Sequence, residues 1–64
     1  MTKLTKTEHE LLREISIEDR GCYKLYGPAK VLADHGFARW RGGTPSYGTL
    51  YPTPEGREFL KVHP

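Results

Sequence analysis

The sequence predicts an α+β domain in the order α-β-α-β-β-α, with three helices packed on a small antiparallel sheet. Three observations carry this. Leu4, Leu11, Leu12 and Ile15 recur at helical spacing near the start. Residues 37–51 alternate on either side of the turn-rich run Gly42-Gly43-Thr44-Pro45-Ser46, which reads as a hairpin. Thr53-Pro54-Glu55-Gly56 then opens a further helix, with threonine as the cap and proline in the first turn.

The first helix is expected from about Thr5 to Asp19, stopping at Gly21. Two capping boxes overlap at its start, Thr5 with Glu8 and Thr7 with Glu10, and Leu4 is placed to act as an entry staple. Glu8, Glu10, Arg13, Glu14 and Glu18 fill its polar face, with His9 among the glutamates on exposed surface. Cys22-Tyr23-Lys24-Leu25-Tyr26 is too short for a stable helix. A strand there puts Tyr23 and Leu25 on one side and Lys24 and Tyr26 on the other.

Gly27-Pro28 starts the second helix. Ala29, Leu32 and Ala33 form its apolar stripe, Lys30 and Asp34 point away, and Gly36 ends it in the left-handed conformation. His35 belongs to that helix end, where a partly charged imidazole favours the dipole. Phe37–Arg41 and Tyr47–Tyr51 are the hairpin strands. Pro52 cannot donate to a ladder, so the second strand ends there or lies at an edge. Phe59, Leu60 and Val62 are the candidates for the buried side of the last helix.

With 64 residues, 36% of them hydrophobic, the chain is expected to form one domain over 1–64, with a modest core and no deep cleft. Cys22 is the sole cysteine, so no intrachain disulfide can form, and it reads as a small, partly buried apolar residue in preference to a reactive thiol. His9, His35 and His63 share no metal-ligand spacing. No metal or cofactor is expected. Nucleophile, base and acid do not converge as a triad, and Gly42-Gly43 lacks the lysine-serine ending of a phosphate loop. An enzyme is therefore the least favoured class. No apolar run reaches transmembrane length, and the first residues lack the apolar stretch of a signal peptide, so a cytoplasmic location is expected.

The formal net charge is +2, and it is unevenly spread. Residues 1–20 hold four basic and five acidic side chains, whereas residues 21–54 hold Lys24, Lys30, Arg39 and Arg41 against Asp34 alone. The positive excess sits on the second helix and the hairpin. Clustered Lys and Arg suit phosphates, because released counterions drive the affinity. Arg39 and Arg41 share one strand face, and Lys30 lies on the outward side of its helix. Of the four tyrosines, Tyr47 near the hairpin tip is expected to be exposed, and at least two others to pack between sheet and helix. Trp40 alternates against the arginines and is expected in the core.

Three stretches carry a family likeness: Leu4-Thr5-Lys6-Thr7-Glu8 leading into Leu11-Leu12, Val31-Leu32-Ala33-Asp34-His35-Gly36-Phe37, and Tyr51-Pro52-Thr53-Pro54-Glu55-Gly56-Arg57. In order and spacing the chain resembles a winged-helix domain of bacterial and phage regulators. It departs from that pattern in having room for only one helix between Arg20 and Gly36, where the family has two, and in carrying Pro52 before the capping threonine. The resemblance implies a DNA-binding transcriptional regulator that contacts double-stranded DNA through the second helix and the wing; the charge distribution and the exposed tyrosine make Lys24, Lys30, Arg39, Arg41 and Tyr47 the expected contact residues. The missing helix normally braces the recognition helix. A chain without it is free to serve instead as a protein-protein adaptor or inhibitor, which is the alternative reading. A homodimer through the first or last helix is a further expectation.

Overall fold

Helix α1 spans Lys6–Ile17 and begins at a formed capping box. The Glu8 N–H donates to Thr5 Oγ1 at 3.3 Å, and the Thr5 N–H donates to Glu8 Oε1 at 2.9 Å. The second box, Thr7 with Glu10, does not form, because Thr7 already lies inside the helix. Leu11, Leu12 and Ile15 are buried, and Leu4 packs against them. The helix stops short of Asp19, since Glu18 is already extended and leads the chain into strand β1, Arg20–Tyr23.

β1 starts earlier and ends sooner than the sequence predicted. The Tyr26 N–H donates to the Tyr23 carbonyl at 3.0 Å, turning the chain through Lys24 and Leu25. Leu25 and Tyr26 are therefore not strand residues, and the side-to-side alternation expected beyond Tyr23 does not exist. Helix α2, Gly27–Asp34, carries Pro28 in its first turn and buries Ala29 and Leu32. Gly36, at φ 78°, ends it. The Phe37 N–H returns to the Leu32 carbonyl at 2.9 Å, and β2, Ala38–Arg41, follows.

β3, Tyr47–Pro52, is the middle strand of an antiparallel sheet ordered β1-β3-β2. Pro52 thus ends a central strand. The Thr53 N–H donates to the Phe37 carbonyl at 3.0 Å. Alternation then turns the nitrogen of Pro52 away from β2 and towards β1, whose last rung is Arg20 opposite Leu50. No partner is lost there.

Helix α3, Pro54–Val62, is capped by Thr53, whose Oγ1 accepts from the Gly56 N–H at 3.1 Å. Gly56 is buried, and a Cβ there would collide with the Phe37 carbonyl oxygen, so glycine permits the close approach of α3 to the start of β2. Phe59 and Leu60 are half-buried, as expected, but Val62 is exposed at the helix end.

The core combines Leu11, Leu12, Ile15, Cys22, Ala29, Leu32, Ala38 and Leu50. All the helices lie on the sheet face that bears Cys22, Ala38 and Leu50. The computed structural model describes residues 3–63, and within them the fold is α+β, with three helices and an open three-stranded sheet in the predicted order. No helix among these residues is long and apolar enough to cross a membrane.

Candidate nucleic-acid interface

Strand register decides which side chains meet. Residues directly opposite one another across the ladder point to the same face, and successive residues alternate. Arg20, Leu50 and Trp40 form one row, and Cys22 with Gly48 and Ala38 with Pro52 form two more. These rows face the helices. The intervening rows are Tyr23 with Tyr47, Gly21 with Thr49 and Arg41, and Tyr51 with Arg39. They face the side that no helix covers.

The open face therefore carries three tyrosines, two arginines and a threonine. Tyr23 is 68% exposed and Tyr47 43%. Their rings meet edge to face at 5.1 Å, and the Tyr47 ring leans over Gly21. The Arg41 guanidinium lies 4.7 Å from the Tyr51 ring centroid and reaches on to Asp19 Oδ2 at 3.4 Å. Arg39 is exposed and has no ion-pair partner among the described residues.

Of the expected contact residues, Arg39, Arg41 and Tyr47 come together on this face. Lys24 and Lys30 do not join them. Lys24 is half-buried on the helix side, its Nζ 5.9 Å from the Trp40 ring and its chain beside Gly48. Lys30 is exposed on the outer side of α2, with Asp34 one turn on. The cations are thus divided between the two layers, and Arg41 is partly offset by Asp19. Trp40 packs against the core, as its alternation predicted.

The tyrosines correct the sequence reading. None of Tyr23, Tyr47 or Tyr51 packs between sheet and helix, because Cys22, Gly48, Leu50 and Pro52 take the inward positions. Tyr23, Tyr51, Thr49 and Asp19 were missed as members of this face. The signal was present in the parity of β3, where Leu50 and Pro52 alternate with Tyr47, Thr49 and Tyr51.

The hairpin tip is held by local bonds. Thr44 Oγ1 accepts from the Ser46 N–H at 3.3 Å and the Tyr47 N–H at 3.1 Å. The Lys24 N–H donates to the Ser46 carbonyl at 2.8 Å, tying the tip to the turn after β1. Arg20, at the start of β1, is paired with Glu14 of α1.

Two further features stand apart from this face. Cys22 is buried, and desolvation pushes its thiol pKa above the ordinary value; nearby Arg20 opposes that shift and Glu14 adds to it. His9 is not simply solvated among glutamates. Its Nε2 donates to the His63 carbonyl at 2.6 Å, and its ring meets Phe59 edge to face at 6.1 Å. Phe59 also stacks against Phe37 at 4.8 Å and His63 at 4.6 Å, along a shallow groove that includes Pro54 and Val62. No protein-family model, curated protein or solved structure matches this chain.

Proposed function

We propose that the protein is a small non-enzymatic nucleic-acid-binding module on a winged-helix-like scaffold shortened by one helix, with a role in transcriptional regulation. The observation that carries the reading is the uncovered sheet face, from which Arg39 and Arg41 project on the same side as exposed Tyr23 and Tyr47. Cations and aromatic rings on one face suit a polyanion whose bases can also be contacted. The scaffold reading is supported by the element order, the β2–β3 hairpin and the Thr53-Pro54 helix start.

The hairpin side is the favoured contact, and α2 is secondary. The outward side of α2 offers Lys30, but Asp34 lies one turn further on and no long amide or guanidinium reaches out to read base edges. Lys24 is engaged with Trp40.

Fluorescence anisotropy with labelled duplex and single-stranded oligonucleotides, titrated at low and moderate salt, tests the reading. Affinity should fall as salt rises, and Arg39→Ala should flatten the logarithmic salt slope by about 0.7–0.9. Absence of binding to any oligonucleotide at low salt would refute it.

A protein-interaction module is the second reading. The groove formed by Phe37, Pro54, Phe59 and Val62 beside α3 favours it. Light scattering tests self-association through this groove. A monomer at micromolar concentration counts against the homodimer form.

A further inference from the structure

We infer that the open sheet face is a stacking platform for a single-stranded polynucleotide, recognised by its base rings and phosphates and not by its sugar. The inference rests on the nucleic-acid reading above and specifies its ligand.

The platform is built by strand parity. Tyr23 and Tyr47 stand at one end of the face, Thr49 in the middle, and Tyr51 with Arg39 at the other end. From Tyr47 to Tyr51 along an extended strand is about 13 Å, which is room for about two or three bases. Helices cover only the opposite face, so a flat ligand can approach these rings.

Each group has a part in such a complex. The Tyr23 ring is the most exposed, and the edge-to-face contact with Tyr47 fixes both rings without burying them. Every base has a π-face, so stacking on these rings is tolerant of sequence. Tyr51 already has the Arg41 guanidinium over it, and that planar cation presents its outer surface for a base or a phosphate. Arg39, free of ion pairs among the described residues, meets the backbone at the β2 edge. Asp19 is the acid that reaches this face, and it is turned to Arg41.

A duplex suits the same surface poorly. Paired bases stack on one another and present only their edges, so the exposed tyrosine rings of this face find no base face to cover. Unpaired bases are free to splay onto them.

The test compares labelled strands of about a dozen thymidines or uridines with a duplex of the same length, at low salt, by anisotropy. The DNA and RNA strands should bind with similar affinity and more tightly than the duplex. Tyr23→Ala and Tyr47→Ala should each weaken single-strand binding by about fivefold or more. Tyr47→Phe should retain it, because the ring and not the hydroxyl does the stacking. Circular dichroism checks the fold of each variant. Since Tyr47 leans over Gly21, its alanine variant is open to loss of structure; the more exposed Tyr23 keeps the test valid. Duplex binding without single-strand binding overturns the platform and leaves the nucleic-acid reading standing. Binding of neither overturns both. Single-strand binding that ignores both alanine variants, is lost in Tyr47→Phe, or strongly prefers one sugar also overturns the platform.

Discussion

The Thr53 hydroxyl donates to the Gly36 carbonyl at 2.6 Å, joining the end of α2 to the start of α3 across seventeen residues. The same oxygen accepts from the Gly56 N–H, and the Thr53 N–H bonds the Phe37 carbonyl. At 3% exposure, water cannot replace these partners. Thr53→Ala removes the cap and leaves a carbonyl short of its donor, which should cost about 2 kcal/mol in urea denaturation. Thr53→Ser should recover most of that.

Gly56→Ala tests the close approach of α3 to β2. On an exposed helix this change stabilises by up to about 1 kcal/mol. Here the added methyl meets the Phe37 carbonyl oxygen, so the sign should reverse to a loss of about 1–3 kcal/mol. A gain in thermal midpoint would show that α3 can shift outward freely.

Much of this joint was visible in the sequence. Thr53-Pro54 announces a capped helix, and Gly36 announces the end of another, because each rests on local chemistry. The element order was equally legible from periodicity. Alternation placed Trp40 inward and Arg39 and Arg41 together, but composition did not show which side of β3 would be covered by the helices. Tyr51 and Leu50 are neighbours with opposite fates, and only the pairing of β3 with β1 and β2 shows that tyrosines occupy the outward positions. The candidate cations were correctly identified as exposed in Arg39 and Arg41. Their separation from Lys24 and Lys30 follows from layer packing, which residue spacing does not encode. His9 was misjudged because Phe59 and His63, its neighbours in the fold, lie fifty residues on or more.

Cys22 should make stability sensitive to alkali. Burial raises its thiol pKa above the ordinary 9.0, so the folded chain holds this proton more tightly than the unfolded chain. The stability it contributes is complete below pH 9.0 and is lost as pH rises from there through the higher folded value. Cys22→Ala should flatten this part of a urea-midpoint-against-pH profile. An unchanged slope would place the alkaline loss elsewhere.

Asp19 should act as a brake on binding. It holds Arg41 at 3.4 Å while both side chains remain solvent-accessible. Asp19→Asn frees that guanidinium and should raise oligonucleotide affinity about two- to fivefold at low salt, with little effect on stability. Arg39→Ala should lower affinity more than Arg41→Ala does, because Arg39 has no competing carboxylate among the described residues. Equal losses from the two would argue that the Asp19 pair dissolves in solution.

The bond from the Lys24 amide to the Ser46 carbonyl keeps the hairpin from swinging as a free arm. Whatever docks beside it meets a preorganised surface and need not first order a floppy loop, so little conformational entropy is sacrificed on association. Tyrosine variants should therefore reveal themselves chiefly as shorter residence times, whereas arginine variants should also slow the encounter, which charge and salt govern.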